Sequence, residues 1–246
     1  MKKTLRFAFA LLIGLLPLGA TDPTVTWNSP GEGSCRQIDA AQPNLELSVS
    51  AADPGGIKQG IMWMKAGHLD WTSDRGTWMQ IWGHTYAHDG VGPTSVNETI
   101  TVRMLGRAVG EYSFIVEFAD MASHDTGTKL LHVSIDSTAP TVAVTSPLTG
   151  RAVCRDKNLS VSVAASDAGC GIGQVQLYLN EVTPTTPVSV DTLPPYLLIV
   201  PKEMLAVDSL RIIVKAIDKS GRSSLAEVTV RPTMICLMRR AKKEIE

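Results

Sequence analysis

The sequence predicts an all-β protein made of two tandem β-sandwiches behind an N-terminal leader. Three observations lead there. Apolar and polar residues alternate at period 2 in the long segments, one plan of segments runs twice along the chain, and no segment after the leader sustains a helical period. Short alternating strands bury one face each and need a second sheet to cover it, which a sandwich supplies.

The leader is "MKKTLRFAFALLIGLLPLGATDP". Lys2, Lys3 and Arg6 precede an apolar run from Phe7 to Leu18, and Leu18-Gly19-Ala20 offers small residues for cleavage. This is the three-part plan of a secretory signal peptide over residues 1–20, too short to span a bilayer comfortably. No cysteine follows the run directly, so a lipid anchor is not expected. Removing the leader takes three of the 23 basic residues and leaves 20 against 24 acidic ones. Such a chain is secreted, periplasmic or held at the cell surface, and it has no basic face for nucleic acid.

The first domain is expected over residues 21–137 and the second over 138–233, with a short basic tail at 234–246. "TVTWNSPGEGSC" (24–35) leads to "NLELSVSAADPGGI" (44–57), just as "TVAVTSPLTGRAVC" (141–154) leads to "NLSVSVAASDAGCGI" (158–172). "GEYSFIVEFADMASHDTG" (110–127) answers "DSLRIIVKAIDKSG" (208–221), and "IDSTAPTV" (135–142) reads as the joint. Leu45, Leu47, Val49 and Ala51 alternate with polar residues in the first copy. Leu159, Val161, Val163 and Ala165 do so in the second, as do Leu210, Ile212, Val214 and Ala216.

The run "DSTAPTVAVTSPLTG…NLSVSVAASDAGCGIGQVQLYLN…PPYLLIVPKEML…LRIIVKAIDKSG" resembles the bacterial immunoglobulin-like domains of secreted, tandem proteins. The resemblance covers residues 139–232 well and 24–136 more loosely. It implies immunoglobulin-like sandwiches serving as spacers, adhesin stalks or accessory modules beside enzymes, and the fold alone does not choose among these. Arg222 stands where such domains usually carry Asn after the turn glycine.

The copies differ in the middle. Asp120 lies 63 residues after Ile57, whereas Asp218 lies 46 after Ile172, so the first domain carries about 17 extra residues. They fall in an aromatic-rich insertion at about 66–96, where three of the five tryptophans lie within residues 70–90. Read as one regular strand, "TWMQIWGHTYAH" puts Trp78, Gln80, Trp82, His84, Tyr86 and His88 on one face and Met79 and Ile81 on the other. Unpaired buried polar groups cost about 1–3 kcal/mol each, which favours Met79 and Ile81 inward and the aromatic ladder outward. Trp63 aligns with Tyr178 on the polar side of its strand and joins the ladder. An outward ladder stacks against a glycan or a protein partner, with Gln80, His84 and His88 orienting it. The competing reading, at least as strong, makes Trp78 and Trp82 core residues or covers them with the inserted loop.

No motif for catalysis appears, and an enzyme is not expected. His84 and His88 stand about 13 Å apart along a strand at ~3.3 Å per residue, too far for one zinc. His68 with Asp70 or Asp74 lacks a partnered nucleophile. Asp136, Asp167 and Asp218 are placed to converge at the domain boundary and bind Ca²⁺ through carboxylate oxygens. The simpler reading, which the sequence favours, is that each aspartate caps its own turn. No other cofactor is expected.

An even cysteine count in an exported chain favours two disulfides. Cys154 and Cys170 flank a strand of eight residues, which holds them roughly 26 Å apart at ~3.3 Å per residue, beyond the reach of a bridge. In an immunoglobulin-like sandwich Cys35 lies at the lower pole of the first domain and Cys170 on an upper loop of the second, both beside the joint. Cys154 lies at the far pole, where the last strand delivers Cys236. The expected pairs are therefore Cys35–Cys170, across the domains, and Cys154–Cys236.

Overall fold

The computed structural model describes residues 22–70, 75–122, 126–182 and 186–234. The leader, the tail from residue 235 and Cys236 lie outside the described residues. Sixteen strands are present among them: β1 (Thr24–Ser29), β2 (Ser34–Gln37), β3 (Asn44–Ala52), β4 (Ile57–Ala66), β5 (Met79–Thr85), β6 (Ser95–Arg103), β7 (Gly110–Asp120), β8 (Thr126–Asp136), β9 (Thr141–Ser146), β10 (Ala152–Cys154), β11 (Leu159–Ser166), β12 (Ile172–Leu179), β13 (Ser189–Asp191), β14 (Tyr196–Val200), β15 (Leu210–Asp218) and β16 (Ser223–Thr233).

These strands form two sandwiches of identical plan. In the first, the sheet β1-β3-β6 faces the sheet β2-β8-β7-β4-β5; in the second, β14-β11-β9 faces β10-β16-β15-β12-β13. In each, the second short strand pairs in parallel with the last, β2 with β8 and β10 with β16. The internal repeat in the sequence is thus a repeat of topology, and both copies are immunoglobulin-like.

Alternation places the cores as expected. Leu45, Leu47, Val49 and Ala51 of β3 are buried against Phe114, Val116 and Phe118 of β7. Val161 and Val163 are buried in the second core, with Leu159 and Ala165 half-buried against it, and Leu210, Ile212, Val214 and Ala216 supply the facing sheet.

The first sandwich departs from its copy along β7. From Tyr112 to Phe118 every residue is buried, on both faces of the strand. The cause is the segment after β4, which folds back over the outer face of the sheet. Ser113 Oγ donates to the Gly67 carbonyl at 2.6 Å, and the Leu69 amide donates to Ser113 Oγ at 3.0 Å. His68 stacks on His132 with ring centroids 3.8 Å apart. The insertion therefore acts in part as a cover: Ser113 and His132 are buried beneath it, and Ile115 and Glu117 are buried on the same side.

Candidate functional site

Two places were marked by the sequence, the aromatic strand and the domain joint, and the structure treats them differently.

The outward ladder is not what folds. Opposite residues of paired strands share a face. Met62, buried in the core, lies opposite Trp82, and Gly60 lies opposite His84, so Trp82 and His84 are on the inner face. Gln80 lies opposite Trp63 on the outer face, because a β-bulge interrupts the register between Met62 and Trp63 and leaves Ile81 without a Cα partner. One extra residue reverses the phase of everything before it, so strict alternation fails here. Trp82, Tyr86 and Ile81 pack as half-buried residues against the first core, and Met79 lies opposite buried Met64 on the inner face, as expected, though 43% exposed at the sheet edge. Trp82 and Tyr86 both lie against Phe118, at centroid distances of 6.2 and 6.3 Å, with His84 between them 4.5 Å from Tyr86. The Tyr86 hydroxyl donates to Glu98 at 2.9 Å, and burial pushes its pKa up.

Trp78 is 8% exposed and lies outside the cluster that forms the core. Trp63 is half-buried, while Gln80, His84 and His88 are exposed. The seven residues therefore do not form one platform. Sequence reading missed Gly60, which makes room for the inner row: a Cβ there would stand 2.7 Å from the Phe118 ring and 2.8 Å from the Trp82 ring.

His68 does not pair with a nucleophile. It bonds Glu111 at 2.8 Å, which raises its pKa, while His132 meets Glu32 at 2.6 Å. Asp74 lies outside the described residues. A raised pKa means that the His68 contribution is fully present below the unfolded value and is lost as pH rises through the folded one. Proteolysis of the 67–78 segment should accordingly accelerate as pH rises from 6 to 8 in the wild type, but not in Glu111→Gln. Equal pH dependence in both would refute this assignment.

The joint is built from both sandwiches. Cys35 on β2 and Cys170, on the turn before β12, form a disulfide with Cα atoms 6.2 Å apart, as expected from the sequence. Cys154 lies on β10, and its expected pairing with Cys236 falls outside the described residues. Arg222 of the second domain reaches back to the first, donating to the Ile38 carbonyl at 3.3 Å and to Asp39 at 2.9 Å. The residue that departs from the resemblance is thus an interdomain clamp.

Asp136, at the end of β8, has no exposed surface. It accepts from the Thr138 amide at 2.8 Å, the Thr138 hydroxyl at 2.7 Å and the Cys170 amide at 3.1 Å. Burial pushes its pKa up, but the Thr138 and Cys170 bonds and the positive charge of Arg222 together hold it below the ordinary value. Asp167 accepts from the Gly169 and Gly171 amides, both at 2.9 Å, and Asp218 accepts from Ser220 Oγ at 2.7 Å and the Arg222 amide at 3.0 Å. Each aspartate does cap a turn. All three nonetheless converge, one oxygen from each lying within 4.8 Å of the others. Two unit charges at that separation repel by about 3 kcal/mol at an effective dielectric near 20.

A Cβ on Gly169 would stand 2.3 Å from the Asp136 carboxyl group. Gly169→Ala should therefore loosen the joint, lowering stability by about 1–3 kcal/mol. The far ends of both sandwiches should keep their amide protection from hydrogen exchange; loss of protection throughout would show the change is not local.

Comparison with known proteins agrees with this architecture. Residues 140–221 match a family model described as a bacterial Ig domain. The fibronectin(III)-like modules of Clostridium thermocellum CbhA superpose with a TM-score of 0.50 at 18% identity, covering 85% of this chain and 94% of that one. An I-band fragment of titin, I67–I69, gives 0.39 at 11% identity over 87% and 66%. A structure of a 1.5-MDa bacterial ice-binding adhesin gives 0.34 at 16% identity, also over 87% and 66%. No curated protein matches the sequence. The likeness to the fibronectin(III)-like modules and the family match over residues 140–221 show the fold, an immunoglobulin-like and fibronectin(III)-like one.

Proposed function

We propose that this chain is an exported, non-enzymatic spacer: two immunoglobulin-like sandwiches locked into one rigid unit that holds its attachments at a fixed distance and angle, at the cell surface or in the periplasm. The observation that carries this reading is the Cys35–Cys170 bridge, a covalent link between the domains, reinforced by Arg222 and by Asp136 seated against the Cys170 loop. A flexible stalk needs none of these contacts. The bridge also suits an oxidising compartment.

Recognition of a glycan by stacked indoles loses its support, because Trp78 is buried and Trp82 lies against Phe118.

The reading has a mechanical consequence. The two cysteines stand 135 positions apart, so the residues between them are shielded from extension when the chain is pulled by its ends. In single-molecule pulling, the oxidised protein should lengthen by less than half as much as the reduced protein before it is fully unfolded. Equal extension would refute the locked unit, and saturable binding on a glycan array would return the chain to recognition.

A further inference from the structure

We propose that Asp136, Asp167 and Asp218 form a Ca²⁺ site at the joint, so that one ion bridges the two sandwiches beside the Cys35–Cys170 bond. It stands on the geometry of the joint and not on the spacer reading. Asp136 ends β8 of the first domain, whereas Asp167 opens the turn after β11 and Asp218 ends β15 of the second. One oxygen from each lies within 4.8 Å of the others, with Asp136 fully buried and Asp218 only 3% exposed.

A cluster of carboxylates caps turns readily, and here each one does. What capping leaves unexplained is Asp218 Oδ2. Among the described residues this oxygen is sealed from water and accepts no hydrogen bond, although the same carboxyl group's Oδ1 is doubly satisfied. A buried carboxylate oxygen without a donor, beside two further carboxylates, requires positive charge. Arg222 lends its charge to Asp136 but makes no side-chain hydrogen bond to the cluster: its Nη2 is engaged by Asp39 and the Ile38 carbonyl, and its buried Nε has no partner.

The donors are hard oxygens, which select Ca²⁺ or Mg²⁺ over softer metals. Cys35 and Cys170 lie close to Asp136, but as a disulfide they supply no thiolate. Ca²⁺ is preferred to Mg²⁺ because it tolerates irregular sites completed by water and main-chain carbonyls, whereas Mg²⁺ demands a near-ideal octahedron. The first domain offers an internal comparison. Asp53 and Asp120 occupy the positions of Asp167 and Asp218, and Asp120 likewise has a buried carboxylate oxygen without a partner, but no third acidic residue joins them into a cluster among the described residues.

The test uses the mature oxidised protein, stripped with EDTA, dialysed and titrated with CaCl₂ or MgCl₂ by calorimetry. One Ca²⁺ should bind per chain, with Kd at or below about 10⁻³ M, the range of extracellular modules, and Mg²⁺ should bind at least tenfold more weakly. Asp218→Asn, which keeps the shape, should weaken Ca²⁺ binding at least tenfold with the disulfide intact by mass, and Asp120→Asn should leave it unchanged. Absence of saturable Ca²⁺ binding in the wild type would overturn the proposal. So would uptake that survives both Asp218→Asn and Asp167→Asn. If Asp218→Asn fails to fold, Asp167→Asn on the half-exposed side of the cluster decides the location.

Discussion

Cys35→Ser or Cys170→Ser lowers the stability of the two-domain unit by about 2–4 kcal/mol, the usual range for removing a native bridge, and splits its thermal unfolding into two transitions. Each sandwich has its own core, the first around Phe114 and Phe118 and the second around Leu177 and Ile212, so neither needs the bridge to fold. What the bridge adds is coupling. With it gone, Arg222–Asp39 and the seat of Asp136 must hold the domains alone, and a partly exposed ion pair contributes only about 0–1 kcal/mol. Calorimetry of the wild type and both variants reads the outcome. A single transition at an unchanged midpoint in the variants would mean that the bridge contributes nothing to coupling.

Trp82→Ala should cost about 2–4 kcal/mol, because the indole fills the space over Gly60 and touches Phe118 at the open edge of the first core. Gly60→Ala should cost about 1–3 kcal/mol by forcing a Cβ into the same two rings. The two positions share one space, so the double variant should be less destabilised than the sum of the singles, the added methyl group partly filling the vacated volume. Urea denaturation of the three variants measures this. An exposed platform would give changes within about 0.5 kcal/mol instead.

Those two regions differ in how far the sequence discloses them. Alternation in β3 and β11 is uninterrupted, and in β15 only Ile213, buried on the face of Arg211 and Lys215, breaks it. Cys35 and Cys170 were legible as a pair because their places follow from topology, which the repeat reveals. The aromatic strand fails for a local reason. Its alternation is regular on paper, yet the bulge at Ile81 reverses the phase between Gln80 and Trp82, and no residue type announces a bulge there. The cover over β7 was hidden for a different reason. It depends on Gly67 and Leu69 meeting Ser113 more than 40 positions away, a contact without local periodicity. Ser113, Ile115 and Glu117 therefore read as an ordinary outer face until the cover is seen. The signal that was available was Gly60, a glycine inside a strand beside aromatic partners, which marks a close approach. At the joint, Asp136, Asp167 and Asp218 were legible as neighbours, whereas the unsatisfied oxygen of Asp218 was not, since it depends on burial.

The claim on which the rest depends is that the two sandwiches are held in one arrangement. It is tested most directly by electron–electron distance measurements between two spin labels on unnatural residues, one replacing exposed Lys129 on β8 and one replacing exposed Glu227 on β16. In the oxidised protein a single narrow distance distribution is expected. A broad or multimodal distribution with the Cys35–Cys170 bond intact would contradict the account.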